Sequence, residues 1–334
     1  MRVHVQTGYG PTAKNIALVE QPEPKPGTTD IVVAVHAASL NPIDYKIVHG
    51  LMRRVRALKF PSPMGFDGSG VVTAVGKSAK KFKVGDAVFF RAPIDRRGSF
   101  AESLALDERH AAAKPSALSH GDAASLPLVG LTTVQGVTDR AKAKPGQSIL
   151  IHAGSGGVGT FAVQYAKAIG LHVTSTTSSK NVDLVRSLGA DIVVPYDKED
   201  YRKRNASYDI VFDMLGGETL MGAFKVVKRG GSVISISGPP TADIARQVNA
   251  GPIVRIAMAF MRRKVMSAAS SAGANYFGYL TESNGDQLAQ IAALTTAGKL
   301  KAVIDRTFPF EDLPAAYAHL ETGRARGKVN LVGR

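Results

Sequence analysis

One stretch of the chain, residues 148–168, constrains the fold more than any other. The apolar run Ile149–Ile151 predicts a buried strand, and a helix with one apolar face is predicted to begin near residue 157. Between them lies the glycine pattern Gly154-x-Gly156-x-x-Gly159. Strand, glycine turn and helix in this order are typical of a dinucleotide-binding unit, which holds the pyrophosphate of its ligand at the N-terminus of the helix.

Each glycine of this turn has an expected role. Gly154 should permit the tight turn, Gly156 should let backbone N–H groups approach a pyrophosphate, and Gly159 should let the helix lie close to the strand. The alternative is an ordinary glycine-rich turn without a ligand. The residues that we expect to contact the cofactor here are Gly154, Ser155, Gly156, Gly157, Val158 and Gly159.

The rest of the chain predicts an α/β protein with two kinds of domain. Residues 1–122 contain short apolar or alternating segments between Pro- and Gly-rich turns, a pattern typical of a barrel or sandwich. Residues 123–268 alternate strands with helices, which predicts a doubly wound parallel sheet. Residues 269–334 mix both element types and could return to the first domain. The strands of the parallel sheet are predicted near 148–152, 171–176, 191–195, 209–213 and 232–237.

The composition limits the chemistry available to the chain. The 334 residues include no cysteine, which excludes disulfides, thiolate metal ligands and cysteine nucleophiles. The eight histidines show neither HxxxH nor HxH spacing. We therefore expect no metal site.

Charge and hydropathy bear on the partners of the chain. No apolar run approaches the roughly 20 residues of a membrane span, and the N-terminus lacks the apolar core of a signal peptide. We therefore expect a cytoplasmic protein without a membrane partner. The net charge is +15, but the basic residues are spread along the chain and their clusters lack interleaved aromatic residues. A nucleic-acid partner is therefore not expected. The two short clusters are Arg53-Arg54-x-Arg56 and Arg262-Arg263-Lys264.

Several further motifs stand in order along the chain, and together with the glycine turn they carry a family resemblance. The chain resembles the medium-chain dehydrogenase/reductase superfamily, and within it the zinc-independent, zeta-crystallin-like quinone oxidoreductases and enone reductases. The resemblance implies a GroES-like β-barrel catalytic domain, a Rossmann domain and a C-terminal return to the catalytic domain. The motifs are Ala38-Ser-Leu-Asn-Pro-Ile-Asp-Tyr-Lys46, Pro63-Met-Gly-Phe-Asp-Gly-Ser-Gly70, Val84-Gly-Asp-Ala-Val88, Gly98-Ser-Phe-Ala-Glu102 and Leu126-Pro-Leu-Val-Gly-Leu-Thr132.

The resemblance also indicates the direction of the reaction. Zinc-dependent relatives have a cysteine where Asn41 stands, a histidine where Phe66 stands and a cysteine near Val129. Without a Lewis acid, alcohol oxidation loses its usual means of stabilising the alkoxide. A quinone or an α,β-unsaturated carbonyl delocalises the charge of an incoming hydride by itself. We therefore expect reduction of such a small molecule.

The cofactor is expected to be NADPH. No acidic residue follows the second strand of the parallel sheet, where an acid would select NAD, whereas Ser178 and Lys180 suit a 2′-phosphate. The resemblance adds Tyr196 at the adenosine end, and Asn41 and Thr132 at the nicotinamide end. Leu215 and Phe277 are further candidate contacts, with core packing as the alternative for both and a solvated side chain as the alternative for Lys180.

Candidate catalytic residues follow Asn41. Many quinone oxidoreductases carry a tyrosine where this chain has Lys46. The proton donor is therefore open between water, Tyr45 and Lys46. Lys46 could instead pair with Asp44, bind a substrate oxygen or lie at the surface, where most lysines lie.

Two rival functions remain at this point. Enoyl-thioester reductases of the same branch have a donor tyrosine where Met52 stands, and a thioether cannot donate a proton. A non-catalytic, NADPH-bound protein that contacts RNA is the rival from another class. By analogy with relatives, a homodimer is expected, paired through an edge strand of the Rossmann sheet at Ser232–Ser237.

Overall fold

A computed structural model describes residues 1–53, 57–204 and 207–333. The chain divides into two compact units: unit 1 comprises Met1–Leu131 and Glu282–Arg334, and unit 2 comprises Thr132–Thr281. Both boundaries lie later in the chain than the expected positions, 122/123 and 268/269. The second boundary is later because residues 275–278 form a strand of the sheet of unit 2.

The N-terminal part of unit 1 is built from antiparallel strands and short helices. Its elements are β1 (Arg2–Gln6), β2 (Ile16–Glu20), β3 (Asp30–Leu40), α1 (Pro42–Val48), β4 (Ser62–Pro63), β5 (Asp67–Val75), β6 (Ala87–Arg91), β7 (Ser103–Asp107), β8 (Ala111–Ala113), α2 (His120–Ala124) and α3 (Pro127–Thr133). A three-stranded sheet has the order β2-β1-β4. The long strand β3 pairs with β5 and β7 in a second sheet. The predicted β-rich domain is confirmed.

Unit 2 contains the predicted parallel sheet, preceded by a π-helical segment at Val134–Arg140. Its elements are β9 (Ser148–Ile151), α4 (Gly157–Ala168), β10 (His172–Thr177), α5 (Val182–Ser187), β11 (Ile192–Pro195), β12 (Tyr208–Asp213), α6 (Gly217–Val226), β13 (Val227–Ser235), α7 (Ala242–Gln247), α8 (Pro252–Met261), α9 (Arg263–Ala272) and β14 (Asn275–Gly278). The strand order is β11-β10-β9-β12-β13-β14, with every pair parallel. This is the Rossmann order, whose direction reverses between β9 and β12.

The sixth strand corrects the prediction about the sheet edge. β13 pairs with β12 on one side and with β14 on the other, so Ser232–Ser237 is not an edge. The edge on this side of the sheet is β14, where Phe277 lies beside Ile234. Residues 275–278 are too few and too mixed in polarity for the sequence pattern alone to show which sheet they join. A dimer through this sheet edge would therefore use β14, and the homodimer itself stays a prediction.

The last elements return to unit 1, namely α10 (Gly285–Thr296), β15 (Ile304–Pro309), α11 (Leu313–Glu321) and β16 (Lys328–Val332). β16 pairs antiparallel with β3, placing Leu331 beside Ala38. Buried residues of α11, including Leu313 and Tyr317, share a core with Leu40 and Phe100. The C-terminal segment thus completes the core of the unit that the N-terminal segment begins.

The apolar segment after Gly251 forms two helices, α8 and α9, which are separated at Arg262. None of the helices in the described residues could span a membrane. Of the basic cluster at 53–56, Arg54 and Arg56 lie outside the described residues, and the Arg53 guanidinium lies 5.3 Å from the centre of the Tyr9 ring.

Candidate functional site

The carboxyl ends of the parallel strands gather the predicted cofactor residues of unit 2. The glycine turn follows β9, Ser178 follows β10, Tyr196 follows β11 and Leu215 follows β12. Open α/β sheets bind ligands at this edge, at the point where the strand order reverses. Four separate predictions from sequence therefore converge on one edge of one sheet.

The glycine turn has the expected shape, but the roles of its residues differ from the predicted ones. The left-handed backbone conformation belongs to Ala153 (φ 50°) and not to Gly154. Gly154 is required for close packing, because a Cβ there would lie 2.1 Å from the Ser175 Oγ atom. A Cβ at Gly159 would lie 2.1 Å from the Ala153 carbonyl oxygen. The expected turn role of Gly154 is corrected, since Ala153 takes that role, and Gly159 does allow close approach.

Gly156 is the N-cap residue of helix α4 and leaves room for a ligand. A Cβ there would meet nothing closer than the Ala153 carbonyl oxygen at 3.4 Å. No side chain in the described part of the chain caps this helix. The N–H groups of its first turn, Gly157 to Gly159, have no intrahelical acceptor and carry the positive end of the helix dipole. The open space and the uncapped donors fit a pyrophosphate.

The loop after β10 is tied to the glycine turn. The Ser155 hydroxyl accepts hydrogen bonds from the Thr177 hydroxyl and from the Asn181 amide, each at 3.0 Å. The Asn181 Oδ1 atom is buried and has no hydrogen-bond partner among the described residues. Lys180 is exposed and Ser178 is half-buried. The Asn181 oxygen can accept a hydrogen bond, Ser178 carries a hydroxyl and Lys180 carries an ammonium group. Together these groups fit the ribose and phosphate of an adenosine 2′-phosphate.

Asp197, which follows β11, lies beside this loop and was not predicted from the sequence. Its carboxylate accepts a hydrogen bond from the Ser179 backbone N–H at 2.8 Å. Asp197 follows Tyr196 directly, so its nearness to the end of β11 was readable from the sequence, but its nearness to residues 178–180 comes from the pairing of β10 with β11. An ionised carboxylate here opposes the binding of a 2′-phosphate and counteracts Lys180.

The turn after β12 presents Leu215. The buried Asp213 carboxylate accepts from the N–H groups of Leu215 and Gly216, at 3.2 and 3.0 Å, and from the Ser235 hydroxyl at 2.7 Å. Gly216 and Gly217 have φ values of 75° and 54°. Leu215 is 56% exposed. The alternative of core packing is therefore wrong for Leu215, which stands free at the ligand edge of the sheet.

The remaining cofactor candidates of unit 2 are Thr132 and Phe277. The Thr132 hydroxyl lies 2.7 Å from the Thr281 hydroxyl, and the Tyr279 hydroxyl donates to the Thr132 carbonyl oxygen. In β14, Tyr276 packs against the core residue Phe224, with ring centres 6.1 Å apart. Phe277 is half-buried, and successive strand residues point to opposite faces. The two aromatic side chains therefore lie on opposite faces of the sheet, and Tyr276 is the one that packs against the core.

In unit 1, helix α1 carries both catalytic candidates, and their side chains point in different directions. Tyr45 is half-buried against the core formed with α11, and its ring centre lies 5.8 Å from that of His49. Lys46 is exposed. Successive residues of a helix point about 100° apart. The two side chains therefore lie on different faces of the helix, and of the two only Lys46 is fully accessible. The placement of Tyr45 and Lys46 at a substrate site stays a prediction.

A buried charged cluster surrounds the N-terminus of α1, and sequence reasoning did not find it. The Lys328 ammonium group donates to the Leu40 carbonyl oxygen at 2.9 Å and to the Asn41 amide oxygen. It lies 3.5 Å from the Asp67 carboxylate, which also accepts from the Asn41 amide at 2.9 Å. Lys328 is 4% exposed and Asp67 is fully buried. We name Asn41, Asp67 and Lys328 the Lys328 cluster.

Asp44 adds a second carboxylate beside this cluster. Its Oδ2 atom accepts from the Asn41 backbone N–H at 2.7 Å, while its Oδ1 atom is buried without a hydrogen-bond partner among the described residues. Burial, reinforced by the charge of Asp67, raises the pKa of the Asp44 carboxyl to about 7. A neutral Asp44 leaves one ammonium opposite one carboxylate in the Lys328 cluster. No ion pair between Asp44 and Lys46 is found in the described part of the chain.

Two cations contact the side chains at the positions where zinc-dependent relatives have ligands. The Asn41 amide accepts from the Lys328 ammonium group. The buried Arg91 guanidinium lies 5.2 Å from the centre of the Phe66 ring. A phenyl ring has no atom that can ligate zinc, and the Lys328 ammonium group occupies the Asn41 amide oxygen. The described residues also contain no group of three His, Asp or Glu side chains that could hold a metal.

Comparisons with known proteins show which families the chain is similar to. Residues 27–116 match the family described as alcohol dehydrogenase GroES-like domain, and residues 188–331 match zinc-binding dehydrogenase. The chain is 34% identical over 328 residues to mouse "NAD(P)H oxidoreductase RTN4IP1, mitochondrial", covering 91% of this chain and 82% of the relative. It is 33% identical to "NADPH-dependent alkenal/one oxidoreductase, chloroplastic" from Arabidopsis thaliana, covering 90% and 71%.

A solved structure is similar over the whole chain. The quinone oxidoreductase from Coxiella burnetii aligns with a TM-score of 0.87 at 31% identity, covering 100% of this chain and 99% of that one. The expected GroES-like and Rossmann architecture is thereby confirmed.

Proposed function

Because the chain belongs to the medium-chain dehydrogenase/reductase superfamily, we propose that it uses NADPH to reduce quinones or α,β-unsaturated carbonyls without a metal ion. The chain is an oxidoreductase of this superfamily. The names of its relatives, an alkenal/one oxidoreductase and a quinone oxidoreductase, favour these two substrate classes.

The observation that carries the proposal is the convergence of the glycine turn, the loop at 178–181 and Leu215 at the carboxyl edge of the parallel sheet. When bound, NADPH supplies the hydride. The N–H groups of Gly157 to Gly159 would hold its pyrophosphate, and Ser178 and Lys180 would hold its 2′-phosphate. Leu215 offers an apolar surface to the cofactor. Positioning of this kind supplies much of the rate enhancement of an enzyme.

The substrate itself accommodates the charge of the reaction. In an enone the β-carbon accepts the hydride, the electron pair of the C=C bond moves toward the carbonyl oxygen, and the α-carbon then takes a proton. In a quinone the product is a hydroquinone anion, which water protonates readily. We propose Lys46 as the proton donor, or as the group that orients the donating water, for the enone.

The proposal of a metal-free reaction rests on the side chains of Asn41 and Phe66 and on what contacts them. Lys328 and Arg91 contact Asn41 and Phe66, which stand where zinc-dependent relatives have ligands. The purified protein is expected to oxidise NADPH in the presence of a quinone or a 2-alkenal, and to keep that rate after chelator treatment. Absorbance at the NADPH band measures the rate, and elemental analysis measures zinc.

Comparison substrates make this test decisive. A crotonyl thioester probes the enoyl-thioester reductase alternative, and a primary alcohol with NADP⁺ probes alcohol oxidation. Turnover of the thioester alone would establish the rival function. One tightly bound zinc per chain, with loss of activity on its removal, would refute the metal-free proposal.

Cofactor choice gives a prediction with two variants of opposite sign. Lys180→Ala is expected to weaken NADPH binding about tenfold to a hundredfold, because a charge-assisted phosphate contact contributes roughly 1.5–3 kcal/mol. Asp197→Asn should strengthen NADPH binding, because it removes a negative charge near the 2′-phosphate while keeping an acceptor for the Ser179 N–H. Fluorescence titration of NADPH and NADH against each variant measures both effects.

NADH is the matched control for this pair, since it lacks the 2′-phosphate. Its affinity should change little in either variant. If Lys180→Ala weakened both cofactors equally, Lys180 would not be the 2′-phosphate ligand. If Asp197→Asn left the ratio of the two affinities unchanged, the carboxylate would lie too far from the phosphate to matter.

A further inference from the structure

Helix α8 exposes an apolar surface that the fold does not cover. Nine of its ten residues are apolar, Arg255 being the exception, and Met258 is its only buried side chain. Ile253, Ile256 and Phe260 are 83%, 72% and 74% exposed. Their spacing of three and four residues places them on one stripe of the helix.

Such a helix calls for a covering partner. Helices that are apolar around most of their circumference are normally buried, and contiguous exposed apolar patches mark interaction sites. Met261 and Met266 continue the exposed apolar surface beyond the stripe. We name these five residues the α8 patch, which comprises Ile253, Ile256, Phe260, Met261 and Met266.

The charges that flank the α8 patch along the chain are all of one sign. Arg255 lies on α8 itself, and Arg262, Arg263 and Lys264 follow at the start of α9. The sequence contains no Asp or Glu from residue 244 to residue 281. A partner for this surface must therefore match an apolar stripe flanked by basic residues.

Charge complementarity distinguishes between the candidate occupants. A second copy of the chain docked through the same patch would bring two identical basic clusters together, because a two-fold contact repeats each side chain. An anionic lipid surface satisfies both features, since the headgroups pair with the basic residues and the acyl region accepts the apolar side chains. We propose that α8 docks the protein onto anionic lipid bilayers.

The proposal revises the expectation of no membrane partner, which rested on the absence of a spanning segment. A helix that lies in the interface needs no such length. The proposal is independent of the reaction, because the α8 patch contains none of the residues assigned to cofactor or substrate.

Vesicle co-sedimentation of the full chain tests the proposal. Vesicles of phosphatidylcholine are compared with vesicles that also contain phosphatidylglycerol, at low and high salt. The wild type should bind the anionic vesicles, less so in high salt and much less to the neutral ones. Ile256→Ser/Phe260→Ser should lower the partition coefficient about a hundredfold, at about tenfold for each apolar side chain.

Separate variants test the contribution of the basic residues and serve as a control, and the fold of each variant is checked. Arg262→Gln/Arg263→Gln/Lys264→Gln should lower binding by about a hundredfold, from roughly fivefold for each basic residue. Val84→Ser, which changes an apolar side chain 59% exposed in unit 1, is the matched control and should bind as the wild type does. Circular dichroism and the melting temperature of every variant should match those of the wild type.

Three outcomes would overturn the proposal. The first is no binding of the wild type to anionic vesicles. The second is binding that the glutamine variant loses and the serine variant keeps, which shows electrostatic adsorption without insertion. The third is a dimer in light scattering that the serine variant dissociates, with no vesicle binding, which assigns the α8 patch to a second copy.

Discussion

Replacing Lys328 with methionine is expected to destabilise unit 1 by about 3–5 kcal/mol, the cost of leaving one partner of a buried ion pair alone. The variant leaves the Asp67 carboxylate buried without its ammonium partner, which lies at 3.5 Å in the native protein. It also removes the donor that satisfies the Leu40 carbonyl and Asn41 amide oxygens. Denaturant unfolding measures the free energy.

Two controls separate the charge from the change of side chain. Lys299→Met alters an exposed lysine of unit 1 and should change stability by no more than about 0.5 kcal/mol. Lys328→Met/Asp67→Asn should recover part of the loss, because residue 67 then carries no carboxylate that lacks its ammonium partner. Equal losses in Lys328→Met and Lys299→Met, or no recovery in the double variant, would contradict the assigned ion pair.

The pH dependence gives an independent check on the same cluster. Burial raises the pKa of Asp67, and the charge of Lys328 opposes that rise. Without Lys328 the folded-state pKa of Asp67 rises further above the unfolded value of about 3.9. A carboxyl with a raised folded pKa loses stability as pH rises through that range. The loss in Lys328→Met should therefore be smaller at mildly acidic pH than above neutrality.

Lys46→Met is expected to lower enone turnover by up to about 10²-fold, the low end of general acid effects. Enone reduction needs a proton at carbon after the hydride has arrived, so it depends on a placed donor or water. Quinone turnover should fall less, because the hydroquinone anion takes its proton from solvent. NADPH affinity should change little, because the glycine turn and the loop at 178–181 hold the phosphates. Steady-state kinetics on both substrate classes measures these effects.

Tyr45→Phe, at the neighbouring residue of α1, is the control variant for Lys46→Met. Its ring packs against the core beside α11, on a different face of α1 from Lys46. The loss of its hydroxyl should therefore leave the turnover of both substrates close to that of the wild type. If Lys46→Met also keeps the wild-type rate on every substrate, water alone supplies the proton. If Tyr45→Phe is the slower variant, the assignment of the two faces is wrong.

Local sequence signals were sufficient for the elements that bear the cofactor residues. The apolar run before Gly154 and the periodic stretch after Gly159 placed β9 and α4 within a residue or two of their observed bounds. The predicted ends of β10, β11 and β12 then placed Ser178, Tyr196 and Leu215 at one edge. This succeeded because parallel strands with helical crossovers follow one topological rule, so that order along the chain implies position in the sheet.

Contacts between distant segments were beyond the sequence. Lys328 opens a strand near the C-terminus, and only the pairing of β16 with β3 brings it to Asn41. Asp197 reaches Ser179 because β10 lies beside β11. Neither contact leaves a periodic signal, since periodicity reports which side of an element is buried and not what lies opposite.

The chain by itself therefore determined the Rossmann topology, the position of the phosphate-binding turn and the absence of cysteine ligands, because each depends on residues close together in sequence. Only the tertiary structure decided that Ala153 holds the left-handed turn, that Tyr45 packs against the core while Lys46 stays exposed, that β14 forms one sheet edge and that α8 remains uncovered. These features depend on which surfaces meet after folding. Long-range packing fixes these features, and the local propensities of the residues do not encode that packing.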